Sequence, residues 1–135
     1  MNSIEELIKH RAPALCIDEV TACSDVAATC ELTIKDGPLV QGGLLWEPAL
    51  VEAVAQTAAV MGGFYLRQLG TEIDRGWLVG VRNFSILRAP RVGEVITCRV
   101  QSLRRLDQFV LVEGSVRCGD ELLAEGHLKF YEVVA

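Results

Sequence analysis

The sequence predicts an α+β domain in which an antiparallel sheet wraps around one long central helix. Three observations carry this expectation. The run "WEPALVEAVAQTAAVMGGFYL", Trp46 to Leu66, is apolar on nearly every side and long enough for a helix that must be covered all round. The segments that flank it alternate apolar and polar residues with the period of two that marks strands. The chain has 135 residues, 50% of them hydrophobic, which is the size of one domain with a substantial core, so residues 1–135 are read as a single unit.

The elements follow in order. Ser3 with Glu6 three residues on reads as a capping box for a short first helix that Pro13 ends. "ALCIDEVTA" reads as a strand. "DVAATCELTIK" is a clearer one, with Val26, Ala28, Cys30, Leu32 and Ile34 on one face and Thr29, Glu31, Thr33 and Lys35 on the other. "DGPLVQGG" reads as a loop into the long helix, where Pro48 suits the first turn and Gly70 the C-terminal cap. After "TEIDR" come strands without another helix: "GWLVGVRN", "GEVITCRVQSLRR", "QFVLVEGSVR" and "ELLAEGHLKFYEVV". In the last, Leu122, Ala124, Gly126, Leu128 and Phe130 share a face, and Gly119-Asp120 makes a hairpin turn before it. A lone apolar helix and an open sheet edge both need cover, so a homodimer is expected.

Composition excludes several classes. The net charge of −5 speaks against a general nucleic-acid surface. Five cysteines, Cys16, Cys23, Cys30, Cys98 and Cys118, are an odd number without a C-x-x-C pair. That argues against a disulfide framework and a metal site, and suits the reducing cytoplasm. In extended chain Cys23 would face away from Cys16 and Cys30. The start, "MNSIEELIKHRAP", is too charged for a signal peptide. The long apolar run is rich in Ala and Gly and contains Glu and Gln, so it reads as a core helix and no membrane partner is expected.

One side chain is out of place in that run. Glu52 is its only interior ionisable group, with Gln56 one helical turn later. Burying an unpaired carboxylate is costly, so Glu52 is either satisfied by a structural partner or kept for chemistry. His127 alternates onto the Glu125 and Lys129 side of its strand and reads as solvated. Gly62 and Gly63 weaken the helix they sit in and mark a close approach of backbone or ligand. Arg82, Arg88 and Arg91 read as surface arginines that could steer an acidic carrier protein.

"HRAPALCIDEV" from His10 to Val20, "VEAVAQ" from Val51 to Gln56, and "GVRNFSILRAPRVGEVI" from Gly80 to Ile96 together resemble the hot-dog fold 3-hydroxyacyl-ACP dehydratases. The three stretches span most of the chain in the family's order. The resemblance implies the hot-dog fold, a homodimer with two sites at its interface, and acyl chains carried on the phosphopantetheine of acyl carrier protein or coenzyme A, with no other cofactor. It implies a catalytic role for Glu52, the first Glu of the family's E-A-x-A-Q motif, and an orienting role for Gln56. It matches His10 to a histidine that is not the family's base. The family's catalytic His stands in a loop before the helix, and here that loop, "KDGPLVQGGLLW", has none.

That departure keeps three activities open. Dehydration removes a proton beside the thioester carbonyl and protonates the departing hydroxyl, two tasks suited to a His and a desolvated Glu. Thioester hydrolysis asks less, since one carboxylate can activate water or attack the carbonyl while backbone N–H groups stabilise the oxyanion. Gly42 and Gly43 stand where such donors would bind substrate. The third reading is a non-catalytic subunit that binds acyl chains or pairs with an active relative.

Overall fold

The computed structural model describes residues 17–71 and 73–134, with backbone alone for 73–77 and 134. The expected first helix with its Ser3–Glu6 box, Pro13, Cys16 and His10 lie outside the described residues.

Eight strands and one helix follow in the order β1 (Glu19–Cys23), β2 (Ala27–Thr33), β3 (Val40–Gln41), β4 (Leu44–Leu45), α1 (Glu47–Gln68), β5 (Ile73–Ile86), β6 (Val95–Leu106), β7 (Phe109–Cys118) and β8 (Glu121–Val134). Six of the strands form one antiparallel sheet in the order β1-β2-β6-β7-β8-β5. The chain leaves β2 near one edge and returns as β5 at the other, and α1 fills the connection. The helix therefore crosses the inner face of the sheet, as the α+β reading expects.

The two ends of α1 follow from local chemistry. Pro48 occupies the first turn, where its missing N–H costs nothing, and Glu47 beside it favours the positive end of the helix dipole. At the other end Gly70, with φ of +78°, donates its N–H to Arg67 and Thr71 donates to Leu66, which is a Schellman cap. By length and composition α1 could cross a membrane, yet 72% of its most apolar window is buried inside the domain.

Packing depends on two glycines that face each other across β7 and β8, Gly114 and Gly126. A Cβ on Gly114 would fall on Cγ1 of Val54, so its absence lets the helix settle onto the sheet. A Cβ on Gly126 would lie 2.5 Å from Cα of Phe84, which a bulge in β5 between Arg82 and Ser85 turns inward. Around this notch the core gathers Leu50, Val54 and Met61 of α1 with Cys30, Val100, Val112, Val116 and Leu128 of the sheet.

Four details differ from the sequence expectation. The loop before the helix contains a small hairpin, β3–β4, turned by Gly42 and Gly43 at φ of +61° and +77°. β5 is longer than "GWLVGVRN" and takes in "IDR". In β8 a bulge pairs Arg117 with Leu122 but Val116 with Ala124, so Leu123 turns into the core and Leu122 leaves the inner face. Cys23 faces the helix, its sulfur 3.9 Å from the Val60 carbonyl, because β1 carries its own bulge between Val20 and Ala22.

The glycine notch yields a direct expectation. Gly126→Ala drives a side chain into backbone and should destabilise the fold by about 1–3 kcal/mol in urea unfolding. Gly80→Ala meets only the Cβ of Lys129 at 3.8 Å, an ordinary contact, and should lower stability far less.

Candidate functional site

Val54 points at the sheet, and two residues of helix turn the direction by about 200°. Glu52 therefore projects on the side of α1 opposite Gly114, and Gln56, one turn on, shares that side. Glu52 is half-buried and Gln56 is 0% exposed, and the Gln56 amide donates a hydrogen bond of 3.0 Å to Glu52 Oε1. Both residues take part in further interactions as well. A carboxylate held in one orientation by a buried amide can accept or deliver a proton at a fixed place.

Gly42 and Gly43 do not sit on the helix. They form the exposed tip of the β3–β4 hairpin, whose second strand runs through Trp46 into α1. The hairpin is tied to the turn at 90–92: Leu45 donates to the Pro90 carbonyl at 2.9 Å and Val92 to the Gly43 carbonyl at 3.0 Å. Leu44 also bridges Arg91.

His127 lies on the outer face of β8, between Glu113 and Arg82 on the neighbouring strands, with its Nε2 4.0 Å from a Glu113 oxygen. The sheet and the helix separate it from Glu52, so His127 cannot serve Glu52 within one protomer. His10 lies outside the described residues. Burial pushes the thiols of Cys23 and Cys30 up to about 11, so neither offers a thiolate near neutrality. Among the described residues no group of three or more His, Cys, Asp or Glu could hold a metal ion.

Of the three arginines, Arg82 and Arg91 are exposed, but Arg88 is fully engaged. Its Nη1 and Nη2 reach the two Glu94 oxygens at 2.8 Å, and its Nε and Nη2 reach Glu121 at 2.9 Å. The Arg91 N–H donates to Glu94 at 2.7 Å, and the Cys118 thiol donates to its other oxygen at 3.3 Å. This network was not foreseeable from spacing, because Glu121 reaches Arg88 only through the pairing of β5 and β8. A second one joins Arg105, buried Glu132 and the ring of Tyr65 under the far end of the helix.

Comparison with known proteins decides the family. The ApeP-like family, described as ApeP dehydratase, matches residues 2–134. The chain belongs to the ApeP-like dehydratase family. Its fold is the hot-dog fold. A 3-hydroxyacyl-[acyl-carrier-protein] dehydratase FabZ from Streptococcus sanguinis is 27% identical over 96% of this chain and 95% of its own. Among solved structures, the dehydratase heterocomplex ApeI:P from Xenorhabdus doucetiae matches with a TM-score of 0.90 at 24% identity, covering 98% of this chain and 92% of that one. A hypothetical thioesterase from Streptococcus pneumoniae, solved with coenzyme A, matches at a TM-score of 0.67 and 12% identity, covering 85% and 84%. The expected resemblance to dehydratases of this fold is thus borne out.

The Arg88 network sets a pH dependence. Arg88, and then the Arg91 N–H, hold the Glu94 carboxyl down at about 2 from an ordinary 4.5. A carboxyl depressed in the fold adds stability that is complete above the ordinary value and is lost as pH falls through the lowered one. The gap in stability between the protein and Arg88→Gln should therefore be widest above pH 4.5 and close towards pH 2 in urea titrations.

Proposed function

We propose that this protein acts on 3-hydroxyacyl chains carried as phosphopantetheine thioesters, on acyl carrier protein or coenzyme A, and that Glu52 moves the proton in their dehydration. The observation that carries this reading is the Glu52 carboxylate, half-buried on the helix side turned from the sheet and held by fully buried Gln56. Dehydration breaks a C–H bond beside the thioester carbonyl and the C–O bond to the hydroxyl, forms a C=C bond and releases water. A carboxylate beside the substrate can take the first proton or, once protonated, give one to the leaving oxygen. Gln56 keeps the carboxylate aimed while it does so. The backbone at Gly42 and Gly43, free of side chains, is suited to approach the thioester carbonyl and stabilise charge on its oxygen. FabZ relatives that act on acyl carrier protein and span nearly the whole chain support the substrate class.

Assembly completes the reading. β5 is one of the two outer strands of the sheet, and Leu78, Val79 and Val81 on it are 40%, 50% and 48% exposed. An apolar edge of this kind pairs with another strand, and a homodimer through β5 is the simplest arrangement. A second reading has its own support: the loop from Lys35 to Trp46 has no histidine, His127 faces away, and the solved ApeI:P relative is a heterocomplex. In that reading β5 pairs with a different chain of the same fold, which brings the missing imidazole.

Incubating the purified protein with 3-hydroxyacyl and saturated acyl thioesters, alone and with a relative that carries the loop histidine, separates these outcomes. Enoyl formation marks dehydration; free thiol without enoyl product marks hydrolysis and refutes the dehydratase reading. Glu52→Gln keeps shape and hydrogen bonding but removes the proton chemistry. It should lower turnover by roughly 10²- to 10⁴-fold while the dimer keeps its mass and melting temperature. Full activity in Glu52→Gln would move the catalytic group elsewhere.

A further inference from the structure

The β3–β4 hairpin is loosely founded. It shares no strand pairing with the six-stranded sheet, and of residues 35–44 all but half-buried Val40 are exposed. Leu45 alone of its strand residues is buried in the core. Its position across the domain comes from the ladder to the 90–92 turn, made by Leu45 to Pro90, Val92 to Gly43 and the Leu44–Arg91 bridge. The turn is anchored in its own right: Gly93 donates to Ile34 at 2.8 Å and Ile34 to Glu94 at 2.9 Å. Among the described residues, every side-chain hydrogen bond within 87–94 involves Arg88 or Glu94. Arg88 grips Glu94 inside the turn and Glu121 at the start of β8, so it fastens the turn to the sheet.

We propose that Arg88 is a positioning residue of the Glu52 site: it sets the 88–94 turn, and the turn sets the Gly42–Gly43 hairpin that leads into α1. The proposal rests on the functional reading above. Arg88 itself touches no substrate. Its effect passes through backbone, from Glu94 to Arg91, from the turn to Leu45 and Gly43, and from Trp46 into the first turn of the helix that bears Glu52. A guanidinium fork is suited to this because it holds two carboxylates in one plane, which an ammonium group cannot do. Misplacing a backbone segment that touches the substrate by about 1 Å can cost on the order of 10²-fold in rate.

Hydrogen–deuterium exchange at the Leu45 and Val92 amides reads the clamp without reference to activity, and kcat and KM read its consequence. These are measured in whichever assembly turns over a 3-hydroxyacyl thioester. In Arg88→Gln, exchange at both amides should rise about tenfold or more relative to core amides such as Val100. Turnover should fall at least about tenfold in kcat, with KM within about twofold. Arg88→Lys, which keeps the charge and loses the fork, should fall between the two in both measurements. Unchanged exchange in Arg88→Gln overturns the clamp; faster exchange with unchanged kcat overturns the positioning role. Should Arg88→Gln fail to fold, Glu121→Gln removes one of the two acceptors and carries the same comparison at smaller amplitude. Wild-type protein that turns over no 3-hydroxyacyl thioester overturns the functional reading and the positioning role together, while the exchange data still stand as the measure of the clamp.

Discussion

A helix this apolar has to be covered on most sides, and in this protein the closeness of that cover is set where Val54 meets Gly114. The missing side chain on Gly114 lets α1 press onto β7, and the missing one on Gly126 lets β5 fold Phe84 over the neighbouring strand. With Val54 seated there, the rotation of the helix is no longer free. Leu50 and Met61 must share the sheet side, and Glu52 and Gln56 must take the other. The direction of the candidate catalytic carboxylate is thus decided by a packing contact on the opposite side of the same helix. The Gln56 amide then fixes the carboxylate within that side.

Much of this architecture was readable in the residues because local and global preferences agree. Period-two alternation in β2 and β7, the Gly119-Asp120 turn, and Pro48 and Gly70 at the helix ends each act over a few residues, and tertiary packing reinforces them. The departures have the opposite character. The bulge that exchanges Leu122 for Leu123 inserts one residue into a regular pattern, and alternation alone has no means of registering an insertion. The β3–β4 hairpin did leave a signal, Gly-Gly between Val40–Gln41 and Leu44–Leu45, but strands of two residues are too short for periodicity to stand out. β5 extends through "IDR" because β8 beside it is equally long, and that demand comes from the partner strand.

The candidate site divides along the same line. Glu52 was visible because a carboxylate does not belong in an apolar run, and Gln56 because one helical turn puts it alongside; their hydrogen bond is a consequence of helix geometry. Arg88 looked like any surface arginine. Its partners are six and 33 residues away in the chain, and only the pairing of β5 with β8 brings the second to it. Gly42 and Gly43 were noticed as backbone donors for a substrate oxyanion, and the structure gives them a prior duty as residues that can hold positive φ in a tight turn. A single pair of residues can answer to both demands, because a turn without side chains is also a surface that ligands can come near.

The order of elements along the chain has a consequence during synthesis. α1 ends at Gln68, and most of the strands that cover its inner side, β5 to β8, are made afterwards, the last ending at Val134. At roughly 5–20 residues per second, a ribosome leaves this largely apolar helix without most of its sheet for several seconds. In that interval only β1 to β4 and whatever the cell supplies can shield it. The finished domain hides its helix well, but the growing chain displays it early, so the yield of folded protein in a cell should depend on chaperones that hold apolar segments as they emerge.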